Sequence, residues 1–180
     1  MNLIMKHLKR IFTITIFSLF IVSCNSPERS IGMSSWEGVE DMKWHIGTQS
    51  AVDIAKAMDA AWQARNYEEM RTYISDTATI TPSGGNTWSS VDDFIDRWKY
   101  NDSVWDSNGS KLTWTFTNLF SVDLDPSSGG EHVHADLLGT FTTQDGNIDN
   151  FRVMNRYYII DGKIVMWNSY SQEIVDETNE

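Results

Sequence analysis

The sequence predicts an α+β domain in which a group of helices precedes an antiparallel sheet and covers one of its faces. Three observations carry this prediction. Between residues 50 and 98 the apolar residues recur at helical spacing, and each run follows a capping signal. From Lys111 onward long runs rich in Thr and aromatics are separated by turn residues. Asp161-Gly162 joins the last two runs directly, and a two-residue Asp-Gly link is a strong hairpin signal. Helices first and a meander after give segregated layers around one core.

The helices come first. Ser50-Ala51-Val52-Asp53 has the capping-box pattern. Beyond it Ile54, Ala55, Met58, Ala61 and Trp62 form an apolar stripe. Asn66, with Glu69 three residues later, starts a second helix whose apolar side is Tyr67, Met70, Tyr73 and Ile74. After an extended piece over 78–82 and a Gly84-Gly85 turn, Ser90 caps a third helix. Its stripe is Val91, Phe94, Ile95 and Trp98. Strands follow over 111–124, 132–143, 151–160 and 163–174, with turns at Pro126 to Gly130, Asp145-Gly146 and Asp161-Gly162.

The N-terminal stretch is of another kind. Lys6, Lys9 and Arg10 precede a run from Ile11 to Val22 that is almost wholly apolar. That build is a secretory signal, and about a dozen apolar residues fall short of the ~20 a spanning helix needs. The ending Ile21-Val22-Ser23-Cys24 resembles the bacterial lipobox. The resemblance implies a signal peptide over 1–23, a cut before Cys24 and lipid on its thiol. The residue after Cys24 is Asn25 and not the Asp that would resemble an inner-membrane retention signal, which points to the outer membrane of a bacterial envelope. Cys24 is the single cysteine, so no internal disulfide forms. Residues 24–49 read as lipidated Cys and tether, with a short helix around Trp36 to Trp44 and a second half packed on the domain. The domain spans 50–175, and 176–180 is an acidic tail.

Charge excludes some partners. Removal of residues 1–23 takes three of the 14 basic residues and none of the 25 acidic ones, leaving a net charge of −14. Phosphate backbones need Lys and Arg to displace counterions, so nucleic acid is excluded as a partner. Surface attachment to anionic headgroups is disfavoured too, leaving the lipid on Cys24 as the membrane contact. No Gly-rich phosphate loop, Cys/His cluster or nucleophile motif appears, and no cofactor or metal is expected.

The element order, with Ala64-Arg65-Asn66-Tyr67 between the first two helices, Ser75-Asp76-Thr77-Ala78-Thr79 entering the first short strand and Asp161-Gly162-Lys163-Ile164 before a Trp-bearing last strand, resembles the nuclear transport factor 2-like superfamily and its SnoaL-like domains. The resemblance covers about residues 50 to 174. It implies three N-terminal helices packed in the concave face of a bent antiparallel sheet, a cone-like, cystatin-like roll with a pocket at its open end. The isomerase branch of that family uses a Tyr on the first helix, an Asp before a Pro and a protonated Asp on the penultimate strand. Their places fall at Met58, at Thr81 beside Pro82, and near Asn155. Met58 cannot donate and Thr81 is no general base at neutral pH, so steroid-isomerase chemistry is not expected.

The expected pocket is apolar and aromatic. Met58, Trp62, Phe94 and Trp98 look inward from the helices. On the first long strand alternation groups Trp114, Phe116 and Asn118. On the last two strands it groups Asn155 with Tyr157 and, through the hairpin register, with Asn168 and Tyr170. Such a lining suits a small, uncharged, partly hydrophobic molecule bound without catalysis. The bland reading is a filled core. A SnoaL-like lyase, cyclase, isomerase or hydrolase is the catalytic alternative, with Asn155, Tyr170 and Asp59 as candidates and Asp59 read as pointing outward. His132, His134 and Asp136 share the opposite face of their strand from Val133, Ala135 and Leu137, and are expected to face water or a partner subunit. Arg152, Arg156 and Tyr158 occupy the same outer sheet face, a candidate surface for a homodimer or another protein.

Overall fold

The computed structural model describes residues 30–175. The stretch over 1–23 expected to be a signal peptide, Cys24 and the acidic tail over 176–180 lie outside these residues. Among the described residues no helix is long and apolar enough to cross a membrane.

Helix α1 runs Gln49–Gln63, α2 Tyr67–Thr72 and α3 Val91–Asn108. The first helix starts two residues earlier than the capping-box pattern suggests. Thr48 rather than Ser50 is its cap: the Thr48 hydroxyl accepts from the Ala51 N–H at 3.3 Å and donates to Glu131 at 2.7 Å. Asn66 caps α2, accepting from the Glu69 N–H while its amide donates to the Glu69 carboxylate at 2.8 Å. Ser90 caps α3, which ends at Gly109 in the left-handed conformation that glycine adopts without penalty.

The strands are β1 His45–Ile46, β2 Ile74–Thr81, β3 Lys111–Asp123, β4 Glu131–Thr142, β5 Ile148–Ile160 and β6 Lys163–Glu173. They form one sheet in the order β1-β3-β4-β5-β6-β2. The meander β3 to β6 is antiparallel throughout. The sheet as a whole is mixed, because β2 lies along β6 in parallel. A connection through α3 then carries the chain from that edge to β3 on the other side. The helices cover the concave face. Ala55, Met58, Met70, Val133, Ala135 and Trp167 are buried between the layers.

Two bulges break the alternation. On β3 Phe116 faces Leu137, yet Asn118 faces Asp136, so Thr117 is an extra residue and donates its hydroxyl to the Asp136 carbonyl at 3.1 Å. On β6 Ile164 faces Ile159 while Met166 faces Tyr158, so Val165 is extra. A one-residue slip moves every later side chain to the other face of the sheet.

Residues 31–47 form a strap on the sheet. Trp36 to Trp44 is not a helix but a turn between two short extended arms, tied by the paired bonds between Ile31 and Trp44. The second arm ends in β1, paired with the end of β3. This part of the expected tether therefore packs on the domain. Aromatic packing holds it down: the Trp36 and Trp44 rings lie 5.5 and 5.2 Å from His132, and Arg156 sits 4.7 Å over Trp36. His132 is thus only 6% exposed, where the sequence suggested a water-facing residue.

Candidate functional site: an aromatic cavity

A cavity of about 610 Å³ lies between the helices and the concave sheet face. Helix spacing puts Trp62 of α1 and Phe94, Trp98 and Trp105 of α3 on its wall. Trp114 of β3 and Trp167 of β6 close it from the sheet. Trp62 is the hub, with ring centroids 4.6 Å from Trp98, 4.9 Å from Trp114 and 5.2 Å from Trp167. Gly139 shapes the sheet side: a Cβ there would stand 2.2 Å from the Phe151 ring, so only glycine lets that ring lie across β4.

Polar groups of the interior are already engaged. Asn155 Oδ1 accepts from Ser169 Oγ at 2.6 Å and from Trp167 Nε1 at 3.1 Å. Behind the wall, Asp59 is 1% exposed. It accepts from Trp114 Nε1 at 2.8 Å and from Gln63 Nε2 at 2.7 Å. Burial raises its pKa above the ordinary carboxylate value, and the two hydrogen bonds pull it back. The Tyr157 hydroxyl is buried without a hydrogen bond of normal geometry. Burial first, and then the field of Asp59, raises its pKa. At the mouth stand Asp149 and Glu173, both exposed, with Asn101, Asn150 and Ser171.

The eleven sequence-predicted pocket residues fall into three groups. Trp62, Phe94, Trp98, Trp114 and Asn155 line the cavity. Met58, Phe116 and Tyr157 point inward but belong to the packed core around it. Asn118, Asn168 and Tyr170 point the other way. The Thr117 bulge turns Asn118 outward, to an amide contact with Asp136 at 3.4 Å. The Val165 bulge puts Ser169, not Asn168, opposite Asn155, so Asn168 and Tyr170 lie on the outer face and Tyr170 is 65% exposed.

Asp59 is a correction in the opposite sense, since the sequence reading pointed it outward. Asp149, Glu173, Trp105 and Ser169 were also missing from that reading. For the last, the only route was the register across the hairpin. At the isomerase positions, Met58 is buried away from the cavity, and the Thr81 hydroxyl is hydrogen-bonded to Thr87 at 3.2 Å. Among the described residues no group of three His, Cys, Asp or Glu is placed to hold a metal.

Helices seated in a curved mixed sheet, with an aromatic cavity at one end, make this the fold of nuclear transport factor 2-like, SnoaL-like proteins. Solved structures show the likeness. An LEH-like epoxide hydrolase of M. tuberculosis matches with a TM-score of 0.55 at 13% identity, over 69% of this chain and 84% of that one. IdmH, a putative polyketide cyclase of Streptomyces antibioticus, matches at 0.54 and 16%, over 69% and 93%. The β subunit of the benzoate 1,2-dioxygenase of Burkholderia mallei matches at 0.56 and 11%, over 71% and 91%. At these identities the likeness is one of fold. No protein-family model matches the sequence, and no curated protein does.

Proposed function

We propose that the chain is a lipoprotein of the bacterial cell envelope, anchored in the outer membrane through lipid on Cys24, and that its cavity binds a small, partly hydrophobic molecule without catalysis. The part of the ligand inside the cavity is uncharged. The observation that carries the binding reading is a wall of five tryptophans around about 610 Å³ of open space. A packed core would leave no such space, because protein interiors are filled nearly as densely as organic crystals. Against catalysis stands the state of the polar groups: Asn155 is spent on Trp167 and Ser169, and Asp59 is screened from the cavity by Trp114.

One observation favours a second reading, a SnoaL-like lyase, cyclase or hydrolase. Asp59 is a buried carboxyl of raised pKa one hydrogen bond behind the wall, and perturbed carboxyls gather at active sites. Proteins of this fold include an epoxide hydrolase and a putative cyclase. A third reading uses the outer sheet face, where Phe120, Leu138, Met154 and Tyr170 are exposed beside Arg152. It suits a second copy of the chain or another subunit.

Purification of the full chain from membranes tests the first reading. Intact mass spectrometry should show a chain beginning at Cys24 with added lipid, and a Cys24→Ser variant should lack it. Gentle native spectra should show a retained small molecule. An unprocessed chain would remove the anchor. An empty cavity that no apolar aromatic probe enters would remove the binding role.

A further inference from the structure

We propose that the cavity selects a cation: a ligand with a flat apolar body and an amine or quaternary ammonium at one end, its charge resting at the mouth between Asp149 and Glu173. The inference rests on the binding-cavity reading and adds to it the charge of the ligand.

The lining is one-sided in charge. Asp149 and Glu173 belong to it, and no Lys, Arg or His does among the described residues. Both acids sit on the concave side of the sheet. Asp149 pairs with Phe141 across β4 and β5, and Glu173 pairs with Phe151 across β5 and β6. That places the two residues diagonally on neighbouring strands, their backbone positions about 7–8 Å apart by sheet geometry. Neither belongs to any of the ion pairs found among the described residues, which join Arg65 and Arg71 to other acids. A cation seated between the two carboxylates meets two negative charges and no positive one among the lining residues.

Aromatic faces complete the subsite. The Phe141 ring is 5.6 Å from Trp105, and Trp105 is 5.9 Å from Trp98. A cation is attracted to an aromatic face within about 6 Å of its centroid, most strongly to Trp. A quaternary or arylalkyl ammonium also sheds its hydration more easily than a compact ammonium. The flat body then has the tryptophan-lined interior, while the charge stays at the exposed rim. The same arrangement repels an anion. The net charge of −14 left after signal removal adds a long-range term that gathers cations and falls with salt. The plain reading is that Asp149 and Glu173 are only solvated residues at strand ends, and the test is built to separate the two.

Three probes share one body: (1-naphthylmethyl)trimethylammonium, its uncharged isostere 1-neopentylnaphthalene, and 1-naphthylacetate. Each is titrated by calorimetry into the full processed chain and into an Asp149→Asn/Glu173→Gln variant, whose unchanged melting curve shows that it folds. The expected result is that the cation binds roughly tenfold more tightly than the neutral isostere at low salt, with the anion weakest. The preference should shrink to about twofold in the variant and in about 0.5 M salt. Equal binding of cation and isostere, or an unchanged preference in the variant, overturns the proposal and leaves the cavity reading standing. Failure of all three probes to bind overturns both.

Discussion

Asp59 accepts a hydrogen bond from the indole of Trp114 at 2.8 Å, so a buried carboxyl on the first helix fixes a cavity wall carried by the first long strand. The same carboxyl holds Gln63 through its other oxygen. Asp59→Ala leaves the indole N–H and the amide without a partner in a buried place. It should cost about 2–4 kcal/mol and loosen the wall, lowering affinity for any cavity ligand. Asp59→Asn keeps one acceptor and removes a charge whose burial is unfavourable, so its cost should stay within about 1 kcal/mol. The pH sign follows from the raised folded pKa. The Asp59 contribution is fully present below the unfolded value of 3.8 and is lost as pH rises through the folded value. Urea unfolding across acid pH measures it, and Asp59→Asn should remove that component.

Tyr157 gives a different kind of prediction. Its hydroxyl is buried without a hydrogen bond of normal geometry, and it does not reach the cavity surface. A buried hydroxyl whose contact with the Asn155 side chain is poorly aligned costs stability. Tyr157→Phe should therefore leave stability unchanged or raise it by up to about 1–2 kcal/mol, with ligand affinity unaffected. Calorimetric unfolding and a probe titration check both halves. A large loss of affinity would mean that the hydroxyl serves the ligand.

Much of this architecture is written locally in the sequence. Capping residues mark the starts of α2 and α3, and Asp161-Gly162 sets the last hairpin. The wall residues Trp62, Phe94 and Trp98 follow from helical period alone. Asp59 was legible too: it lies four residues after Ala55 and three before Trp62, inside the apolar stripe, and only its charge argues for an outward direction. The bulges were not legible. Thr117 and Val165 are ordinary strand residues, and nothing local marks either as extra. Each slip reversed the faces beyond it, which is why Asn118, Asn168 and Tyr170 were assigned to the wrong side. The acids at the mouth depend on the same long-range register.

Gly139 tests how the wall is kept open. A Cβ at this position meets two ring atoms of Phe151 at 2.2 Å. The ring is the end of a side chain with open space beside it, so in Gly139→Ala it should swing into the cavity. The expected result is a loss of ligand affinity of about tenfold or more, with a stability change below about 1.5 kcal/mol. Equal affinity in the variant would place the ligand away from Phe151.

The strap makes the last prediction, because it covers a histidine whose ionisation burial strongly opposes. His132 lies against Trp36, Trp44 and Tyr158, with Arg156 beside it and His134 on the same face. Burial, and then the charges of Arg156 and His134, push its pKa down to about 4. A depressed folded pKa means that the contribution is whole above the unfolded value of 6.5 and is lost as pH falls toward 4. After allowance for solvent screening the loss should be about 1–2 kcal/mol, read as a fall in the urea midpoint between pH 7.5 and 4.5. His132→Phe keeps a ring in the stack and should flatten that part of the profile. Trp44→Ala should do something a merely weakened fold would not. With the strap lifted, the His132 imidazole meets water, and its pKa, followed by NMR, should rise from about 4 toward 6.5. A value that stays near 4 in Trp44→Ala would show that Arg156 and the sheet, rather than the strap, keep this histidine neutral.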